Sequence, residues 1–508
     1  MLLAERTIRK SPGDPPDRGK GFKRMKDSSK RDYKVDFDRP CRVHFMGIGG
    51  ISMSSLASFL QGKGFSVSGS DKSEGKNTLR LREEGIRIMI GQGPENITDD
   101  LDFCVNTAAV HPDNPEYRAA VEKDIPILSR AQLLGQMMDH YPLSFGVAGT
   151  HGKTTTTGML ADILMAARLD PTISIGGMQE SIGGNLRVGT GDYFVAEACE
   201  YSNSYHEMHP QIGIILNIRP DHMEFFHTME NLRESFRHFA GNLKPGGVLI
   251  ADSSIEGVRS LFGDIPGRLV VVGPEAENDY SARNIEEGRL GLGAFDLYRQ
   301  AEYLGRICLE VPGVHNIHNA LAAAAAALEA GLDFEVVKKG LEAFRGVRRR
   351  FEKRGILRED IPVIDDFGHH PEEILATWEV ARHYPYRLTC IFQPYTYSRT
   401  RDCFDEFVEA LAHYDRVVLS DIMPARETDD LGVHSTQLRD ALLARGVECH
   451  YFPGFDEIVE FLLKNSLNGE MLITTGCGNV DLVADALVAS PLCTSSTGGE
   501  GRSAGEKS

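Results

Sequence analysis

The chain of 508 residues carries a formal charge of −18, with 41% hydrophobic and 25% charged residues. That is the composition of an ordinary globular protein too long for one core, so about three domains are expected. The acidic balance argues against a nucleic-acid-binding protein, nine cysteines without a CxxC pair argue against a zinc module or disulfide framework, and no apolar run reaches the length of a membrane span or signal peptide. The expected setting is therefore the cytoplasm, with no membrane insertion.

Residues 1–39 are rich in Lys, Arg, Asp, Pro and Gly without apolar periodicity and read as a disordered tail, as do the Ser/Gly-rich residues 490–508. Between them, short apolar strands alternate with helical stretches, the pattern of α/β sheets with parallel strands. A first block, 40–141, opens with RVHFMGIGG and continues through FSVSGSD, RIMIG and DFCVNTA. A second, 142–345, contains LSFGVAG, DYFVAEA, IGIILNI, GVLIADS and LVVVG and closes with the helix NALAAAAAALEAGL. The third, 346–489, runs through IPVIDDF, LTCIFQP, RVVLSDI, ECHYF and MLITTG.

In chain order, the first chemical signal is GIGG, with Gly47, Gly49 and Gly50 after a strand and Asp71 closing the next one. It resembles a dinucleotide fingerprint, but Ser52 replaces its third glycine, so NAD, another nucleotide diphosphate or tight helix packing would each explain it. The second signal is GVAGTHGKTTTT. The general phosphate-loop pattern fails at Val147, yet Gly149, Thr150, His151, Gly152, Lys153, Thr154 and Thr155 stand between a strand and a helix. Backbone N–H groups there can cradle an anion, Lys153 can reach phosphate oxygens and the Thr154 hydroxyl can ligate Mg²⁺. Glu197 ends a strand of the same block and can direct a carboxylate at that metal, with Asp192 and Glu200 as competitors; Glu200 reads as a solvated charge. Asp221 and His222 fall just past another strand, where open sheets place ligands. In PGVHNIHNA, Asn316 either caps a helix or, with His315 and Asn319, meets the adenine side of a nucleotide. Arg345, Arg348, Arg349 and Arg350 cluster at the second domain break, where a guanidinium can clamp a transferring phosphoryl group. Two strand-to-helix loops of the third block carry Asp365, Asp366, His369 and His370, and Tyr397, Arg399 and Arg401.

Together HFMGIGGISMSSLA, SGSD, GTHGKTTTT, VAEACE, DHM, HNxxNA, GVRRRFE, DDFGHHP, FQPxxxSRTR and SDI, in this order over roughly residues 41–488, resemble the Mur ligases, ATP-dependent enzymes that add amino acids to the peptidoglycan precursor. GIGG with DDFGHHP points to the alanine-adding branch. The resemblance implies a Rossmann-like N-terminal domain for the UDP-sugar, a central P-loop ATPase domain with a parallel sheet, and a C-terminal Rossmann-like domain for the amino acid. It places Gly47, Gly49, Gly50 and Asp71 at the UDP-sugar and the loop Gly149–Thr155 around ATP. Thr154, Glu197 and His222 would serve Mg²⁺, and His315, Asn316 and Asn319 would meet the adenine side. Lys153, Glu197 and His222 would be catalytic, as would an arginine of 348–350 that approaches the phosphates, Arg349 as catalytic group and Arg350 as nucleotide contact. Asp366, His370, Tyr397 and Arg399 would meet substrate, Arg399 near the amino-acid carboxylate. The implied substrates are UDP-N-acetylmuramate and L-alanine, and the implied state is a monomer or weak homodimer. Tyr395 and Thr396, Cys199 and Arg219 depart from common family residues. Rival readings are a ligase attaching a recycled peptide to the same sugar, a nicotinamide-dependent oxidoreductase and an inactive nucleotide-binding homologue.

Overall fold

The computed structural model describes residues 33–107, 109–425 and 427–494. Of the tails expected at 1–39 and 490–508, residues 1–32 and 495–508 lie outside the described residues, whereas Cys493–Thr494 forms a short strand paired antiparallel with Ile356 and Leu357. Residues 33–39, placed with the N-terminal tail on composition alone, are part of the first domain. Val35 and Phe37 are buried there, and Phe37 packs against Phe59 and Phe65. The Val35 amide donates to Gln136 Oε1 at 2.8 Å, and Gln136 Nε2 donates back to the Tyr33 carbonyl. Two buried apolar side chains suffice to dock a segment whose polar remainder hides them from a composition argument.

The described residues form three sheets. The first has the order Arg87–Ile90, Ser66–Asp71, Arg42–Met46, Phe103–Asn106, Ile127–Ser129, with every neighbouring pair parallel. The second is ten-stranded. Its centre is parallel: Ile212–Ile215 lies between Leu143–Ala148 and Val248–Asp252. All four residues of Ile212–Ile215 are buried, as expected of a strand covered by helices on both faces. The sheet is mixed rather than parallel throughout. Gly184–Arg187 pairs antiparallel with Thr172–Gln179, and Tyr280–Glu287, Leu292–Arg299 and Glu302–Pro312 form an antiparallel meander on the far edge. The third sheet centres on Glu470–Thr475, parallel to both Ile361–Asp366 and Arg387–Phe392, with Glu352–Leu357 added antiparallel.

The helix Val314–Glu329 packs against the second sheet and the helix Lys153–Ala166. Its run Ala322–Ala327 is buried; alanine combines the best helix propensity with the least bulk, so the helix can lie close to both. That approach carries its first turn to the phosphate loop. Among the described residues, no helix is long and apolar enough to cross a membrane.

Candidate functional site

The phosphate loop joins the strand Leu143–Ala148 to the helix Lys153–Ala166. Gly152 stands at the helix start with φ 85°, and a Cβ there would come within 2.4 Å of Asn319 Oδ1. A side chain at this position is thus excluded by both backbone and contact. Thr150 Oγ1 donates to the Arg219 carbonyl at 3.1 Å and accepts the Arg219 amide at 3.0 Å, while the His151 amide donates to Asn217 Oδ1 at 2.9 Å. The Thr150 hydroxyl therefore shapes the loop from behind. Lys153 Nζ donates to the Gly149 and Thr150 carbonyls at 2.6 and 3.0 Å and to Glu200 Oε1 at 3.0 Å. Burial would lower its pKa, but the carboxylate of Glu200 outweighs that and holds the ammonium charged.

Glu200 corrects the reading of a solvated charge. It is 2% exposed and ion-paired with Lys153. The sequence signal was its position three residues past Glu197, on the loop where the strand Tyr193–Glu197 ends. Glu197 Oε1 accepts the Gly176 amide at 2.6 Å, and its carboxyl is pushed up by burial against the opposing pull of Gly176, Thr154 and Lys153. Thr154 bonds Glu197, whereas His222 stands with Glu200 and Asp221, their ligand atoms all within 4.8 Å of one another. Two carboxylates and an imidazole suit a hard divalent cation, although Glu200 is already ion-paired, its Oε2 lying 3.0 Å from Lys153 Nζ.

A cavity of about 430 Å³ runs from His151, Gly152 and Thr155 past Asn316 and Asn319 to Arg350 and Asp366. It lies between the second and third domains. Gly313, not Asn316, precedes the helix Val314–Glu329. Asn316 sits inside the first turn, donating to the Pro312 carbonyl at 2.7 Å and accepting from Asn319 at 3.1 Å, so the capping reading fails. His315 lines the same wall, as do His318 and Asp252, 3.6 Å apart, which the sequence reading missed. The repeated His-Asn pattern of HNIHNA was the available signal for His318.

The three consecutive arginines at the domain break, 348–350, diverge. Arg350 lines the cavity with Asp366. Asp366 accepts the Gly368 and Phe351 amides at 2.8 Å each and Thr377 Oγ1 at 3.0 Å. Arg349, expected as a catalytic group, points away into the third domain, where Nε donates to Asp365 Oδ2 at 3.1 Å. Arg348 is exposed.

A second cavity of about 400 Å³ adjoins the first, with Asp221, His222, His370 and Arg399 in its wall. Arg399 Nη2 donates to Asp221 Oδ1 at 2.6 Å, an ion pair between the second and third domains, and Arg399 Nη1 is buried without a partner. Burial would raise Asp221, but Arg399 and His222 outweigh it and hold the carboxyl at about 2. His370 Nδ1 is also buried and unpartnered, its ring 5.7 Å from that of His151. Burial lowers the pKa of both imidazoles. Glu373, another residue missed in the sequence, accepts the His369 amide at 2.9 Å and lies 3.6 Å from Arg350. Its carboxyl stays well below the usual range because His369 and His151 outweigh the effect of burial. Tyr397 lines neither cavity; its amide donates to Glu427 at 2.6 Å at the start of a short helix.

In the first domain Gly47 has φ 79°, Gly49 donates its amide to Asp71 Oδ2 at 2.8 Å, and Gly50 stands at the start of the helix Ile51–Gly62. Asp71 thus holds the glycine turn in shape.

Three sheets of this order, a phosphate loop with its acid cluster and an arginine hinge define a three-domain ATP-using ligase, and the chain belongs to the Mur ligase family. Residues 42–142 match the Mur ligase family catalytic domain, 147–327 the Mur ligase middle domain, and 349–478 the Mur ligase glutamate ligase domain. The chain is 48% identical to UDP-N-acetylmuramate–L-alanine ligase of Lachnospira eligens over 90% of its own length and 100% of that protein. It is 46% identical to the enzyme of the same name from Agathobacter rectalis over 90% and 99%. The crystal structure of the UDP-N-acetylmuramate–alanine ligase of Thermotoga maritima superposes with a TM-score of 0.75 at 29% identity, covering 88% of this chain and 98% of that one. Membership of this family leaves the nicotinamide reading of GIGG and Asp71 without support.

Proposed function

We propose that the chain joins L-alanine to the lactyl carboxylate of UDP-N-acetylmuramate, converting ATP to ADP and phosphate. The observation that carries this reading is the pair of adjoining cavities between the second and third domains. One is bounded by the phosphate loop and Arg350, the other by Arg399 and His370. A donor and an acceptor can then meet across a shared wall, and relatives of 48% and 46% identity carry that ligase name.

A carboxylate is a poor electrophile. The γ-phosphoryl group of ATP is first transferred to the lactyl carboxylate, giving an acyl phosphate and ADP. The amino group of alanine then attacks the acyl carbon, and phosphate leaves. Lys153 and Arg350 face the phosphate region from opposite domains and neutralise charge as it shifts during transfer. Asn316, Asn319 and His315 form the far wall that receives the rest of the nucleotide, and Asp366 braces the Arg350 side. In the second cavity, the free Nη1 of Arg399 offers a donor to the amino-acid carboxylate, beside the neutral imidazole of His370. Gly47, Gly49, Gly50 and Asp71 supply the turn against which the UDP moiety rests. Thr154 with Glu197, and Glu200 with Asp221 and His222, are the groups that would hold Mg²⁺, which would offset phosphate charge when bound. Closure of the third domain keeps water from the acyl phosphate.

The test is phosphate release from ATP in the presence of UDP-N-acetylmuramate with L-alanine, glycine, L-serine or a tripeptide. Stimulation by L-alanine above the others is expected. Absence of stimulation by any amino acid would end the ligase reading, and preference for the tripeptide would favour the peptide-attaching relative.

A further inference from the structure

The connection between the second and third domains changes allegiance between two adjacent residues. The Arg348 amide donates to the Met178 carbonyl of the second domain at 2.8 Å. The Arg349 carbonyl accepts the Phe367 amide of the third domain at 2.7 Å. Arg349 is thus the first residue of the connection with a main-chain tie to the third domain.

Arg349 is bound there more completely than any main-chain tie requires. Its Nη1 donates to the Gly478 carbonyl at 3.2 Å and Nη2 to the Gly476 carbonyl at 2.6 Å, while Nε holds Asp365. Its amide donates to Glu352 Oε2 at 3.0 Å. One side chain thus joins the ends of the strands Ile361–Asp366 and Glu470–Thr475 to the start of the domain. Its φ is 61°, in the left-handed region that a residue with a Cβ rarely adopts. Such a conformation persists where the surroundings over-determine it, and here they do. The consequence falls on Arg350. Both guanidinium groups lie over the Phe367 ring, at 5.1 and 5.3 Å from its centroid, yet only Arg350 lines the 430 Å³ cavity.

We propose that Arg349 is a positioning residue for phosphoryl transfer: it never touches the nucleotide but locks the hinge backbone so that Arg350 faces the phosphates. The inference rests on the assignment of that cavity to ATP. It replaces the direct catalytic role that the arginine run alone invites. The buried Asp365 carboxyl, pushed up to about 6 by burial even beside Arg349, fits a group whose ionised form depends on this contact.

A double-mutant cycle in the full-length enzyme tests it. Arg350→Gln should lower kcat/KM for ATP by about a hundredfold, as loss of a phosphate-facing donor does. Arg349→Gln should lower it by about tenfold, with kcat falling and KM for UDP-N-acetylmuramate unchanged, because a group acting through Arg350 affects only the nucleotide side. The double variant should be no more than about threefold worse than Arg350→Gln, since the indirect path is already cut. Circular dichroism and a thermal melt check folding. If Arg349→Gln does not fold, Arg349→Lys, which keeps the charge but loses the planar fork, takes its place in the cycle. Fully multiplicative losses, unchanged kinetics in the Arg349 variant, or equal KM rises for all three substrates would overturn the positioning role. Normal turnover in Arg350→Gln would overturn the assignment of the cavity itself, a result distinguishable from failure of the Arg349 step alone.

Discussion

Two glycine-rich turns, Gly47–Gly50 and Gly149–Gly152, follow the same grammar of strand, tight turn and helix, yet they treat charge oppositely. In the first turn a carboxylate, Asp71, already occupies the Gly49 amide. In the second, the ammonium of Lys153, first residue of the helix that follows, bonds the loop carbonyls of Gly149 and Thr150, and the acid Glu200 is bonded to that lysine. A turn whose amide is held by an acid presents negative charge and hydroxyl-seeking oxygens. A turn built around an ammonium presents a place for phosphate. Backbone shape makes both sites possible; one charged side chain decides what each accepts.

Removing that charge gives the largest expected effect. Lys153→Ala should reduce turnover by about a thousandfold or more while the circular dichroism spectrum is retained, since the transferring phosphoryl group loses a cation in a water-excluded site. Near-normal phosphate release would break the contrast between the loops. Glu200→Gln should cost about a hundredfold and raise the Mg²⁺ concentration needed for half-maximal rate, because the cluster with Asp221 and His222 loses a charge. An unchanged Mg²⁺ requirement would assign the acid to holding Lys153 alone. Asp71→Asn should act on the other domain only, raising KM for UDP-N-acetylmuramate about tenfold, the size of one charged hydrogen bond, with KM for ATP unaltered.

The smallest effect concerns the link between domains. Asp221, paired with Arg399, has a pKa lowered to about 2, against an ordinary value of 3.8. A depressed carboxyl contributes stability that is present above the unfolded pKa and lost as pH falls through the folded one. Both side chains are nearly buried, at 10% and 11% exposed, so the contribution is about 2 kcal/mol. Asp221→Asn should therefore melt earlier than the parent protein at neutral pH, and the gap should close between about pH 4 and pH 2. A gap that persists at low pH would show that the pair does not titrate in this way.

Much of this architecture was legible in the chain. Alternating apolar strands and helices gave the three α/β blocks, and GTHGKT with VAEACE and DHM marked elements that come together at Lys153 and Glu200. Legibility ended where partners are distant. The antiparallel hairpins at 172–187 and 280–312 escaped because their strands, though long, alternate buried with part-exposed or exposed residues, as in Leu292–Arg299 and Glu302–Pro312, and so lack the continuous apolar runs of covered parallel strands. Glu200 was misread because burial comes from elements far along the chain. Three consecutive arginines are indistinguishable as letters; only the left-handed backbone at Arg349 separates the one facing the cavity from the one facing the domain core.

Glu372 borders both cavities, at the start of the helix Pro371–Ala381. That helix belongs to the third domain, so the wall shared by the two cavities exists only while the domain is docked. Coupling is then a property of docking rather than of either pocket. A protein with a loosened third domain should slow, because Arg350 leaves the cavity, and what turnover remains should leak, releasing ADP and phosphate with no amide bond formed.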